Sequence, residues 1–191
     1  NSFGHEARAE ISPSKKERIG IAAQQLIKDR DIIVLHSGTT CEEVAKNIAD
    51  STILTVITNG LEIVSALRNK RNVEVIFLGG KVDYVQNMTT GPMLSEMLEK
   101  LNPNMTIMGA GGISDEKGIT NYSYIGSIFE REIVKQATEL IFVIDDTKFG
   151  KNVLHQLANL QETDVIITNK EIDPIHLKMM KKHEIRYVLA K

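Results

Sequence analysis

Asp31-Ile32-Ile33-Val34-Leu35-His36-Ser37-Gly38-Thr39-Thr40-Cys41-Glu42 joins an aliphatic run to a small, hydroxyl-rich loop and then directly to an amphipathic stretch. Ile, Val and Leu in succession, with no polar alternation, form the pattern of a strand buried on both faces. The run recurs at Ile53–Ile57, Val73–Leu78, Met105–Met108, Leu140–Ile144, Val165–Ile167 and Ile185–Leu189. Between the runs, Lys15–Lys28, Glu42–Ile48, Leu61–Leu67, Met93–Leu101, Ser127–Thr138 and Pro174–Lys182 carry apolar residues at helical spacing. Strand and helix alternate, and right-handed crossovers between buried strands predict an open, mainly parallel α/β sheet with helices on both faces, in three layers. The alternation is too irregular, and the chain of 191 residues too short, for an eight-unit barrel of ~250 residues.

One domain accounts for a chain of this length with 42% hydrophobic residues. The opening stretch begins with Asn1 rather than Met and is polar and aperiodic through Pro13, so residues 1–14 are expected to be a linker and 15–191 the domain. A net charge of −2, from 23 basic and 25 acidic residues with no cationic stripe, argues against DNA as a direct partner. Cys41 is the only cysteine, which excludes an intramolecular disulfide and a Cys-based zinc site and, with no secretory leader in view, favours a reducing cytoplasm. No apolar run approaches the ~20 residues of a membrane span. His155, His176 and His183 are scattered, so neither a metal nor a cofactor is expected. Cys41 is expected to pack, and Lys178, Lys181 and Lys182 to form a solvated face.

Ligands of open α/β sheets bind beyond the carboxyl ends of the strands. There, Ser37-Gly38-Thr39-Thr40 stands at a strand-to-helix turn, where backbone N–H groups, hydroxyls and the helix dipole suit a phosphate, although Ser and Thr are also ordinary N-caps. Thr58-Asn59-Gly60 reads as a binding loop or a plain turn, and Gly79-Gly80-Lys81 as a close-approach loop with one charge or another turn. Gly109-Ala110-Gly111-Gly112-Ile113 offers bare backbone to a ligand, or is a flexible surface loop. Asp145 and Lys148 can grip hydroxyls and an anionic oxygen, or form a surface ion pair worth ~0–1 kcal/mol. The expected site is therefore Ser37, Gly38, Thr39, Thr40, Thr58, Asn59, Gly79, Gly80, Lys81, Gly111, Gly112, Asp145 and Lys148.

In order and spacing, Ser37-Gly38-Thr39-Thr40, Thr58-Asn59, Gly79-Gly80, Gly109–Ile113 and Asp145-Asp146-Thr147-Lys148-Phe149-Gly150 resemble the effector domain of DeoR-type sugar regulators, over about Lys15 to Lys191. The resemblance implies a fold of the ribose-5-phosphate isomerase type and a phosphorylated sugar or related metabolite as ligand. Ser37 to Thr40 would hold the phosphate, and Asp145 and Lys148 the sugar. It also implies a winged helix-turn-helix upstream, through which alone DNA is met, and assembly as a homodimer or homotetramer. His36 departs from the Asp that the family commonly has there, and is expected to be buried and bonded to backbone.

Two rival readings share the fold. A sugar-phosphate isomerase needs a general base, and Gly109–Ile113 contains no carboxylate, so binding without turnover is expected; Asp115 or Glu130 would have to substitute. A purely structural oligomerisation domain would need no ligand. Tyr122, Tyr124, Ile125, Ile128 and Phe129 are expected either to close over a ligand or to pack on a second subunit.

Overall fold

The computed structural model describes residues 4–191, apart from the side chains of Tyr124, Ile125 and Ser127. Helices α1 (His5–Ala9) and α2 (Pro13–Gln24) lead to β1 (Ile32–Leu35), α3 (Thr39–Asn47), β2 (Leu54–Thr58), α4 (Leu61–Leu67) and β3 (Val73–Phe77). A hairpin of β4 (Lys81–Asp83) and β5 (Met88–Thr90) precedes α5 (Pro92–Leu98), β6 (Met105–Met108), β7 (Gly112–Ser114), β8 (Gly118–Asn121) and α6 (Tyr124–Gln136). The chain continues through β9 (Leu140–Val143), β10 (His155–Ala158), β11 (Val165–Asn169), α7 (Pro174–Lys182) and β12 (Arg186–Ala190).

Each aliphatic run becomes a strand of one seven-stranded sheet, ordered β12-β11-β9-β6-β1-β2-β3 and parallel throughout. Side-chain alternation sorts the strands between two cores. Ile33 and Leu35 face one way, with Val56, Ile107 and Val165, against Ile19 and Ala23 of α2, Val44 of α3 and Ile63 of α4. Val34, Ile57, Met108, Phe142 and Ile166 face the other way, against Leu94 of α5, Ile133 of α6 and Met180 of α7. Helices thus cover both faces, as the alternation predicts. The edge strands differ: β3 and β12 are only partly buried because the helices cover them incompletely.

Two features depart from the sequence reading. A three-stranded antiparallel sheet, β10-β8-β7, packs Ile113, Ile119 and Leu157 into the second core; its strands of three or four residues are too short to show a period. Residues 5–9, read as aperiodic linker, form α1, held by the His5 N–H on the Val85 carbonyl at 2.8 Å and by Arg8 on Gln86. Polar contacts rather than an apolar stripe hold this helix, so periodicity cannot reveal it. No helix among the described residues is long and apolar enough to cross a membrane.

From β1 the chain adds β2 and β3 on one side, then crosses to β6, β9, β11 and β12 on the other. The strand order therefore reverses between β1 and β6, where the two following loops diverge and leave a crevice.

Candidate functional site

A cleft lies at that reversal, with about 750 Å³ of space when its open mouth is counted. The loop after β1 supplies His36 to Thr40, the loop after β6 supplies Gly109 and Ala110, and the loop after β9 supplies Asp145 and Lys148. Arg8 of α1, Lys16 of α2, Gln86 and Met88 of the hairpin, and Asn121, Tyr122 and Glu130 close the other sides.

The β1 loop is held from behind. Asn59 accepts the Ser37 N–H at 3.3 Å and donates its own amide to the Thr89 carbonyl at 3.0 Å. Ser37 Oγ donates to the Met88 sulfur at 3.0 Å, and the Gly38 N–H donates to Glu62 Oε1 at 2.7 Å. Gly38, at φ +125°, is the N-cap of α3, so the N–H groups of Thr39, Thr40 and Cys41 belong to a first turn without intrahelical acceptors. That geometry, with the positive end of the helix dipole, receives anions.

Three cationic side chains, those of Arg8, Lys16 and Lys148, line the same cleft. Lys16 is 3% exposed, and burial pulls its amine down to about 8, against the attraction of Asp145. Burial also lowers the Lys148 amine, again opposed by Asp145. Asp145 is itself buried; it accepts the Thr147 N–H at 3.0 Å and the Thr147 hydroxyl, capping the 3₁₀ turn Asp146–Lys148 that brings Lys148 to the cleft. Desolvated amines beside one shared carboxylate lack the full counter-charge that an anion would supply.

The opposite wall carries a buried carboxylate. Glu130 Oε2 accepts from Asn121 at 2.9 Å, and Glu130 Oε1 lies 3.6 Å from His36 Nε2. His36 is 4% exposed, and its Nδ1 meets the Ser37 carbonyl at 3.0 Å. A carbonyl only accepts, so Nδ1 carries a proton; Nε2 of a neutral ring would then turn a lone pair toward the Glu130 carboxylate. His36 is thus buried and backbone-bonded, and it also lines the cleft.

Of the residues expected from sequence, Ser37, Gly38, Thr39, Thr40, Asp145 and Lys148 line the cleft. Thr58, Asn59, Gly79, Gly80, Lys81, Gly111 and Gly112 do not. Thr58 is buried and accepts the Gly60 N–H at 3.0 Å, and Asn59 supports the β1 loop from behind. Gly79 donates its N–H to the Met97 sulfur at 3.3 Å, a side chain at Gly80 would strike the Thr90 carbonyl at 2.5 Å, and Lys81 is exposed in β4. Gly111 and Gly112 are bare because Tyr122 and the Lys151 carbonyl press on them. Only Gly109 and Ala110 of that loop reach the cleft, so the five loops do not converge fully.

The carboxylates that line the cleft are those of Asp145 and Glu130, and none comes from Gly109–Ile113. Asp115 is elsewhere, bonded to Lys182 at 2.8 Å and His183 at 2.5 Å. Cys41 is wholly buried, and burial pushes its thiol up, which suits a packing role. Tyr122 lines the cleft, Phe129 packs on the second core and Ile128 is exposed, whereas the side chains of Tyr124 and Ile125 lie outside the described residues.

Arg8, Lys16 and Asn121 had no place in the sequence reading, and Glu130 had one only as a substitute base. A signal existed for two of them. Lys16 shares the buried face of α2 with Ile19, Gly20 and Ala23, and Glu130 stands one turn before the buried Ile133 and Val134 of α6. A charge on an apolar stripe points to a partner inside.

Residues 11–170 match the family described as DeoR C terminal sensor domain. The chain is 31% identical over 166 residues to the HTH-type transcriptional repressor GlcR of Bacillus subtilis, covering 87% of this chain and 64% of that protein. It is 27% identical over 176 residues to the HTH-type transcriptional regulator IolR of the same organism, covering 92% and 70%. The chain thus spans less than two thirds of the first of these relatives. In fold it is similar to ribose 5-phosphate isomerase A from Neisseria gonorrhoeae, with a TM-score of 0.53, 10% identity, and 72% of this chain and 53% of that one covered. The parallel sheet is the architecture shared with that isomerase, and the match over residues 11–170 places the chain in the DeoR C-terminal sensor domain family.

Proposed function

We propose that the cleft binds a phosphorylated sugar or related metabolite, and that occupancy alters DNA binding by a linked helix-turn-helix domain. The phosphate sits on the Ser37–Thr40 turn, and the sugar lies against Asp145, Lys148 and Glu130. One observation carries this reading: the amino end of α3 and the cations Arg8, Lys16 and Lys148, from three other parts of the chain, open on one cleft. Cations from distant segments, all three of them desolvated, are arranged for an anion rather than for stability. The wall of Glu130, Asn121 and Tyr122 offers hydrogen-bonding partners for hydroxyls. The same reading has the chain working in the cytoplasm as a homodimer or homotetramer, which light scattering tests.

Thermal unfolding with sugar phosphates and with the same sugars unphosphorylated tests the ligand class. A ligand at a hundredfold its Kd adds ~2.7 kcal/mol, and only the phosphorylated member of a pair should do so. Failure of every phosphorylated sugar would sink the site.

A second reading, a sugar-phosphate isomerase of the same fold, is favoured by Glu130, a buried carboxylate on the cleft wall. It predicts product by NMR on incubation with the bound sugar phosphate. Binding by calorimetry with no product supports a sensor without turnover.

A further inference from the structure

Helix α1 has only five residues, no side-chain N-cap and no large apolar side chain, and isolated helices shorter than ~12–15 residues are marginal. What holds it is polar. The His5 N–H donates to the Val85 carbonyl at 2.8 Å, Arg8 Nη2 to Gln86 Oε1 at 2.8 Å, and Lys16 Nζ to the Arg8 carbonyl. Segments held by a few such bonds open locally at low free energy.

The same helix reaches the cleft. Arg8 lines it, and Arg8 Nε is buried with no hydrogen-bond partner within the protein, a state that buried donors avoid. An anionic oxygen in the cleft is a partner of the required kind.

The hairpin that grips α1 also grips the anion turn. Val85 and Gln86 hold His5 and Arg8, while the next residue, Asn87, donates to Glu62 Oε2 at 3.2 Å, and Glu62 Oε1 holds the Gly38 N–H. Met88 follows, taking the Ser37 hydroxyl. His5 Nε2 stands 3.4 Å from Glu42 Oε2 in the first turn of α3. Four consecutive hairpin residues therefore couple α1 to the loop that would receive the phosphate.

We infer that α1 is a strap whose docking is linked to occupancy of the cleft: an anionic group bound there completes the hydrogen bonding of Arg8 and fastens α1, and an empty cleft leaves it easily released. This rests on the cleft taking an anionic ligand. By reciprocity, whatever pulls α1 away weakens the ligand by the same factor. The stretch of chain that enters the domain at α1 is then where occupancy is passed on.

The test follows amide exchange of residues 5–9 and 37–42, with calorimetry, using D-ribose 5-phosphate and inorganic phosphate as probes against chloride at matched ionic strength. Binding is expected to slow exchange in α1 by about tenfold, within the usual range of coupling between sites. Arg8→Ala should weaken binding by about tenfold and abolish the slowing in α1, while saturating probe still slows residues 37–42, which also shows that the variant is folded. Gln86→Ala, loosening the same grip from the hairpin, should act in the same direction. Binding with exchange in α1 unchanged overturns the strap and leaves the anion site standing. No binding of either probe overturns both.

Discussion

Two glycine-bearing loops stand side by side at the carboxyl edge of the sheet, one after β1 and one after β6, and their glycines are there for opposite reasons. At Gly38 nothing lies within 4 Å of an added Cβ, and φ is +125°, so the residue is required by the backbone turn that aims the start of α3 at the cleft. At Gly112 an added Cβ would stand 2.4 Å from the Lys151 carbonyl, so glycine is required by the packing of the small antiparallel sheet. In sequence both are simply bare turns after strands. Only the side of the loop that meets protein separates a glycine required by backbone conformation from one required by packing.

Substitution should break this parallel cleanly. Gly112→Ala is expected to cost about 3 kcal/mol of stability, the upper end for overpacking against rigid backbone, with the affinity of the surviving folded protein unchanged. Gly38→Ala should cost about 1–3 kcal/mol as backbone strain and also weaken phosphate binding. Denaturant melts with calorimetry separate the two, and equal loss of affinity in both variants would erase the distinction. Lys148→Ala comes next, with a loss of about 1.5–3 kcal/mol of binding, the value of a charged hydrogen bond. Its stability should hold, since a half-buried, desolvated amine is removed rather than an apolar group.

A smaller effect should follow pH. The Lys16 amine is pulled by burial to about 8 from its ordinary 10.5. The charged form, which an anion prefers, is therefore complete below about 8 and lost as pH rises through that value. Affinity for a phosphate dianion should decline between pH ~7 and ~9 by up to the tenfold worth of one charge contact, and Lys16→Met should flatten the decline. Stability moves oppositely: burial penalises the charged amine, so the penalty is full below the folded value and relieved between about 8 and 10.5. Lys81→Ala should do least, changing stability by no more than about 0.5 kcal/mol and affinity not at all; a loss of binding there would return the loop after β3 to the site.

The difference between the two loops also marks what sequence can reveal. Ile32–Leu35, Met105–Met108 and their counterparts announce the main sheet because burial on both faces leaves unbroken aliphatic runs. Strands such as Gly112–Ser114 and His155–Ala158 are short and mixed, and their pairing is set by tertiary contact. At the site, the Ser37–Thr40 turn and the Asp145–Lys148 pair are legible because each follows a recognisable strand. Arg8 is not, since α1 lacks an apolar pattern and reaches the cleft only through the hairpin at Val85 and Gln86. Gly111 and Gly112 mislead because bareness records close approach without saying what approaches.

In the proposed complex the turn after β1 receives the phosphate of a sugar ligand. Backbone amide NMR during titration with a phosphorylated sugar tests it most directly. The largest shifts are expected at residues 37–42, with clear shifts at Asp145 to Lys148 and none at Gly79 to Lys81. Shifts concentrated away from residues 37–42, or the same response to the unphosphorylated sugar, would contradict it.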